Sequence, residues 1–159
     1  MKIIGPEARG RGRALGVSAL ALALVTSACG SAATPAGGTV AVALQEWAVV
    51  PARPSVNAGK VTFNVSNNGP DDPHEMVVIK TDLAPDKLPT DADGKVEEEG
   101  AGIEFIGEVE SFDPGKSETA TFELKPGKYA LICNILQDEP DGSKEAHYKM
   151  GMLASFTVN

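Results

Sequence analysis

The chain has 159 residues, of which 42% are hydrophobic, and a formal net charge of −8 at pH 7. This length and hydrophobic content suffice for one domain with a real core. The acidic balance argues against a nucleic acid as partner, because the phosphates would be repelled. Seventeen glycines and eleven prolines favour short strands and turns, so we expect a β-rich fold.

The first 28 residues have the pattern of a targeting signal. Four basic residues at the start precede an uncharged stretch, residues 14–28, rich in Ala, Leu and Val. Fifteen residues are too few for a bilayer span, which needs roughly 20. They suit the hydrophobic region of a signal peptide. The sequence therefore predicts export.

The end of this stretch, Val-Thr-Ser-Ala-Cys at residues 25–29, resembles a bacterial lipoprotein signal. The resemblance implies that residues 1–28 are removed and that Cys29 is lipidated, so that the protein is anchored on the extracytoplasmic face of the cell membrane. Two acyl chains would anchor it stably. A plain secretory signal cleaved near Ala28 is the alternative.

Removal of residues 1–28 leaves 10 of the 14 basic residues and 21 of the 22 acidic ones, a net charge of −11. Such a charge suits solubility at a cell surface or a basic protein partner. Residues 29–38 are small and predict a flexible tether. We expect a single monomeric domain over residues 39–159.

Short segments in which apolar residues alternate with polar ones, or follow one another, predict about seven strands. Turn residues every eight to twelve positions indicate an all-β sandwich or barrel. Glu46–Val50 is expected to continue the first strand, with Trp47 as a core or edge aromatic. The acidic insertion, residues 82–100, is expected to be irregular and solvated. The predicted strands cover residues 40–44, 60–66, 74–80, 103–109, 119–124, 128–133 and 153–158.

Cys133 is the one thiol left if Cys29 carries lipid, so it has no partner for a structural disulfide. In an oxidising compartment a lone thiol is a liability unless it is buried or ligated. A buried, inert cysteine is the alternative to a ligand.

Three further residues fall where a metal site would need them. His74 lies at a strand start, Cys133 at a strand end, and His147 and Met152 shortly before the last strand. Two imidazoles and a thiolate with a weak axial thioether define a blue-copper electron-transfer site. The four residues therefore predict one type 1 copper ion.

The same stretches carry a family pattern. Residues 127–135, then His147-Tyr-Lys-Met-Gly-Met152, then residues 156–158 resemble the C-terminus of cupredoxins of the plastocyanin and azurin type. The turn at residues 67–69 followed by His74 resembles their first ligand. The resemblance implies a Greek-key β-sandwich with copper held by His74, Cys133, His147 and Met152.

Two features depart from that pattern. Thirteen residues separate Cys133 from His147, where the family usually has only a few, and the extra residues are polar. Loop-closure cost grows slowly with length, so we expect the site to survive with a bulge beside it. Glu75 follows the first histidine where plastocyanins commonly have Asn, so a hydrogen bond behind the ligand is expected to change.

We expect an electron carrier rather than an enzyme. One centre uses both histidines, which leaves none for a second catalytic copper or a hydrolase base, and no phosphate-binding glycine loop is present. The expected partner is a redox protein, such as a basic cytochrome or an oxidase domain. The acids Asp138, Glu139, Asp141 and Glu145 are expected near the copper edge, where they would steer it. The alternatives are a non-redox copper carrier or sensor and a copper-free interaction module.

Overall fold

The computed structural model describes residues 37–159. The predicted signal peptide, Cys29 and most of the tether lie outside these residues and remain predictions. Among residues 37–159, no helix is long and apolar enough to cross a membrane.

The described residues form two packed sheets and a small hairpin. One sheet has the order β2-β1-β4-β7, the other β3-β11-β8-β5-β6, and β9 pairs with β10. All seven predicted strands are present, and the all-β sandwich is confirmed. The elements are β1 Gly38–Gln45, β2 Ala48–Pro51, β3 Ser55–Val56, β4 Gly59–Asn67, β5 His74–Lys80, β6 Glu104–Phe112, β7 Ser117–Leu124, β8 Gly127–Ile132, β9 Leu136–Asp138, β10 Lys144–Ala146, α1 His147–Met150 and β11 Leu153–Val158.

The main core lies between the two large sheets. Alternation places Val61, Phe63 and Val65 of β4 on the inner face, where all three are fully buried. They meet Leu131 of β8 and Phe156 of β11 from the other sheet. Burial of such alternating apolar residues is the main force that holds the sandwich together.

The chain reverses after β1 instead of continuing it. Gln45 pairs with Ala48, so Glu46 and Trp47 form a tight turn and β2 runs antiparallel to β1. The expectation of one extended segment through Val50 was therefore wrong. The reversal places Trp47 at the end of the sandwich, where it is partly buried against the core.

The acidic insertion is not simply solvated. It contains a 3-10 turn at Pro85–Lys87, and its Leu88 and Val96 are only 5% and 3% exposed. Both belong to a second core on the outer face of the β5–β8 sheet. Since residues 76–79 of β5 and 129–132 of β8 form unbroken apolar runs, each strand has one face in the main core and one under the insertion. The second core consists of Val77, Ile79, Leu88, Val96, Ala130, Ile132 and Tyr148.

Candidate metal centre

Three sequence-predicted residues meet at one end of the five-stranded sheet. His74 is the first residue of β5, Cys133 directly follows β8, and His147 begins α1. β5 and β8 are antiparallel neighbours, with Val77 paired to Ile132, so the start of one lies beside the end of the other. All three side chains have no exposed surface.

The donor atoms of these residues face one another. Nδ1 of His74 and Nδ1 of His147 lie 3.2 Å apart, and Sγ of Cys133 lies 3.4 Å from Nδ1 of His147 and 4.0 Å from Nδ1 of His74. The circle through these atoms has a radius of about 2.1 Å, the distance at which nitrogen and sulfur ligands bind transition metals, about 2.0–2.3 Å. The trigonal set therefore fits one metal ion.

Backbone hydrogen bonds hold the ligand loops in place. The N–H of Cys133 donates to the carbonyl of Met152 at 3.0 Å, and the N–H of Met152 donates to that of His147 at 3.1 Å. Gly151, at φ 114°, has the left-handed conformation that ends α1 and returns the chain to β11. Met152 is fully buried, and its carbonyl holds the backbone of the cysteine.

The thirteen residues between Cys133 and His147 are ordered as a hairpin. Leu136 pairs with Ala146, and Asp138 pairs with Lys144. The N–H of His147 then donates to the carbonyl of Ile135 at 3.0 Å. The tip of the hairpin therefore lies away from the ligands, and the expected bulge is a paired β9–β10 hairpin.

Burial keeps the metal-free ligands uncharged. It raises the pKa of Cys133 to about 12, although the N–H groups of Glu75 and Ile135 face the sulfur and favour the thiolate. Burial, together with the charge of His74, lowers the pKa of His147 to about 4. Burial also lowers the pKa of His74, although Glu46 and Asp72 oppose it. Metal binding must therefore displace the thiol proton.

The outer nitrogens of the two histidines have no hydrogen-bond partner among the described residues. Oε1 of Glu46 lies 3.5 Å from Nε2 of His74. Oxygens of Asp72 and Glu145 lie within 4.8 Å of a ring nitrogen of His147. A ring that binds metal through Nδ1 keeps its proton on Nε2, and carboxylates are the usual acceptors for it. The carboxylates near the outer nitrogens thus agree with metal-bound histidines.

Trp47 covers both imidazoles. Its ring meets that of His147 edge-on at a centroid distance of 5.1 Å and that of His74 at 6.4 Å. This role of Trp47 could not be predicted from the sequence, because it depends on the reversal after β1. Trp47 helps to keep water from the ligands.

Glu75 ties the two ligand strands together. Its Oε1 accepts a hydrogen bond from the N–H of Asn134 at 3.1 Å, directly after Cys133. Burial, together with the charge of Glu108, raises the pKa of Glu75 to about 7. The substitution noted in the sequence thus places an ionisable group behind the ligands.

Comparisons with known proteins agree with this fold. A family model described as a cupredoxin-like domain matches residues 17–143, a range that contains His74 and Cys133 and ends before His147 and Met152. No curated protein matches the chain.

Solved structures show the same fold. Dithionite-reduced auracyanin from the photosynthetic bacterium Roseiflexus castenholzii is 24% identical with a TM-score of 0.51, over 76% of this chain and 96% of that one. Auracyanin B is 23% identical with a TM-score of 0.51, over 79% and 91%. Because the family model spans most of the chain, the protein belongs to the cupredoxin-like family of copper electron carriers, which are not enzymes.

Proposed function

We propose that the protein carries single electrons between redox proteins at the outer face of a cell membrane, with copper held by His74, Cys133, His147 and Met152. One observation carries the proposal: two imidazole nitrogens and a thiol sulfur surround a point about 2.1 Å from each, in a closed pocket. Copper in such a site supplies a one-electron change between its two oxidation states.

The residues have separate roles. Cys133 supplies the thiolate, which the N–H groups of Glu75 and Ile135 stabilise. His74 and His147 bind through Nδ1 and keep their Nε2 protons, and Glu46 faces that of His74. Met152 would supply a weakly bound thioether. Because the backbone fixes these groups before metal arrives, little rearrangement is needed when the charge of the site changes.

The environment acts on the reduction potential in two opposite ways. A dry pocket with an axial methionine favours the reduced state, which has the lower charge. The carboxylates of Glu46, Asp72 and Glu145 beside the histidines favour the oxidised state. We expect a positive potential that these acids moderate.

The membrane location rests on the sequence of residues 1–29, through lipid on Cys29. The partner is expected to be a basic redox protein, such as a cytochrome or an oxidase domain. Its attraction would come from Asp138, Glu139, Asp141 and Glu145, on or beside the hairpin that follows Cys133.

A copper carrier would need an open, loose ligand loop for metal exchange. Here His74, Cys133, His147 and Met152 are fully buried, and the loop is paired as a hairpin. Both observations favour the electron carrier. The converging donor atoms likewise disfavour a copper-free interaction module.

The test is addition of Cu(II) to the metal-free protein, with visible absorption and EPR as readouts. We expect an intense blue thiolate-to-copper band with narrow copper hyperfine splitting, and loss of that band in Cys133→Ser. No colour, or a colour that Cys133→Ser leaves unchanged, would overturn the proposal. Weak binding without that spectrum would favour the carrier.

A further inference from the structure

The acidic insertion contacts the chain at the two residues that directly follow copper ligands. Asn134 follows Cys133 and is 1% exposed, and Tyr148 follows His147 and is 3% exposed. Both side chains point away from the ligands into the insertion. The insertion thus contacts the residue next to Cys133 and the residue next to His147.

The side-chain amide of Asn134 pairs with both backbone polar groups of Val96, as a neighbouring strand would. Its Oδ1 accepts from the N–H of Val96 at 2.7 Å, and its Nδ2 donates to the carbonyl of Val96 at 3.1 Å. Nδ2 also donates to Oε1 of Glu98 at 2.9 Å. Because the backbone N–H of Asn134 is held by Glu75, the residue after the cysteine is fixed on two sides.

Tyr148 binds the other end of the insertion. Its hydroxyl donates to the carbonyl of Pro85 at 2.7 Å and accepts from the N–H of Leu88 at 3.1 Å. Its ring lies in the second core with Leu88 and Val96. These contacts fix α1, whose first residue is His147.

A third contact reaches the hairpin between the ligands. Nζ of Lys144 lies 2.8 Å from Oδ2 of Asp93. Both side chains are about half exposed, so this ion pair adds little energy. A Cβ at Gly94 would lie 3.2 Å from Cβ of Ala146, so the insertion runs close along the hairpin base.

We propose that the acidic insertion is a positioning device that sets the Cys133 thiol and the His147 imidazole at their metal-binding separation before metal arrives. Asn134 and Tyr148 are the positioning residues. Each shares a peptide bond with a ligand, so holding its backbone restricts the ligand's own backbone. The proposal rests on the proposed function for the identity of the metal, but the positioning itself exists in the metal-free protein.

The chain offers a matched control for Tyr148→Phe. The hydroxyl of Tyr129 also donates to a backbone carbonyl, that of Lys125, at 2.7 Å, and Tyr129 is equally buried at 3% exposure. Tyr129 lies near the far end of β8, away from the ligands. Tyr129→Phe therefore removes a donated bond of the same kind and length that does not end on the insertion. Tyr148→Phe also removes the bond accepted from Leu88, so the two variants are compared at matched stability.

The first readout is the reactivity of the Cys133 thiol in metal-free protein, measured with iodoacetamide by mass spectrometry of the peptide that contains it. We expect Tyr148→Phe to raise the alkylation rate about tenfold over Tyr129→Phe at matched stability, because the ligand loop opens locally. Asn134→Asp, which keeps the acceptor and loses the donor, should act in the same direction. Equal rates in Tyr148→Phe and Tyr129→Phe would overturn the proposal.

The second readout is the EPR spectrum of the copper-loaded variants. We expect a changed copper hyperfine splitting in Tyr148→Phe and Asn134→Asp, and the wild-type splitting in Tyr129→Phe. If wild type is blue and all variants match it in spectrum and thiol reactivity, the positioning proposal fails alone. If wild type binds no copper while the thiol rates rise as expected, the proposed function fails and the positioning stands.

Discussion

Oε1 of Glu46 lies 3.5 Å from Nε2 of His74 and also accepts hydrogen bonds from the N–H groups of Asp71 and Asp72. Burial raises the pKa of Glu46, but these N–H groups and its own outweigh that effect, so the pKa lies below its usual value. An ionised carboxylate therefore stands behind the first histidine, positioned by the loop that leads to it.

Glu46→Gln should raise the reduction potential. The amide oxygen can still accept from Asp71 and Asp72, but the negative charge that favours the oxidised state is gone. An increase on the order of 50 mV is expected from one partly buried charge near the site. Cyclic voltammetry measures it, with Glu118→Gln, an exposed acid of β7, as control. Equal shifts in both variants would contradict the role of Glu46.

Trp47 should report metal binding. It is the only tryptophan of the chain, and its ring lies 5.1 Å from that of His147. Cu(II) should quench most of its fluorescence at one equivalent. Fluorescence titration measures this, and Cys133→Ser should need far more copper for the same quenching. An unchanged emission in copper-loaded wild type would place the metal elsewhere.

Acid should affect the stability of the metal-free protein through buried groups that act in opposite directions. The pKa of His147 is lowered to about 4, so the unfolded state binds more protons below pH 6.5 and stability falls on acidification. The pKa of Glu75 is raised to about 7, so the folded state binds more protons below pH 7 and stability rises. Between pH 7 and 4.5 the effect of Glu75 therefore offsets that of His147, and the lowered pKa of His74 adds to the loss of stability.

Glu75→Gln removes the carboxyl whose protonation offsets the loss of stability caused by His147. We expect this variant to lose roughly 2–3 kcal/mol more unfolding free energy than wild type between pH 7 and 4.5. Urea unfolding of metal-free protein at the two pH values measures the difference. A slope shared by both proteins would show that Glu75 titrates as an ordinary carboxyl.

Neutralising the hairpin acids should slow encounter with a cationic partner. In a variant with Asp138, Glu139, Asp141 and Glu145 changed to amides, the rate of reduction by a cationic redox protein should fall roughly tenfold at low salt. Stopped-flow absorption over a range of ionic strengths measures the rate. Rates and salt dependence that match wild type would remove these acids from the docking surface.

Much of the fold could be predicted because the alternation of apolar and polar residues indicates which face of a strand is buried. Val61, Phe63 and Val65 are an example, and all three lie in the core. The reversal at Glu46 and Trp47 could not be predicted, since it has no glycine, proline or asparagine. It is set instead by pairing of Gln45 with Ala48 and of β1 with β4.

The ligand types could be predicted because few residues bind copper and each occurs rarely in this chain. The surroundings of the ligands could not, because they come from distant segments. The unbroken apolar runs of β5 and β8 are typical of strands that are buried on both faces. They did not indicate that Leu88 and Val96 of an acidic segment supply the cover.

Because of the β9–β10 hairpin, the distance between Cys133 and His147 does not depend on the number of residues in the loop between them. Three paired positions, from Leu136–Ala146 to Asp138–Lys144, lie between the metal centre and the exposed tip at residues 139–143. Residues added or removed at the tip therefore leave the distance between Cys133 and His147 unchanged. The tip is a place where a label, a tag or a longer recognition segment can be inserted without altering the spectrum of the copper.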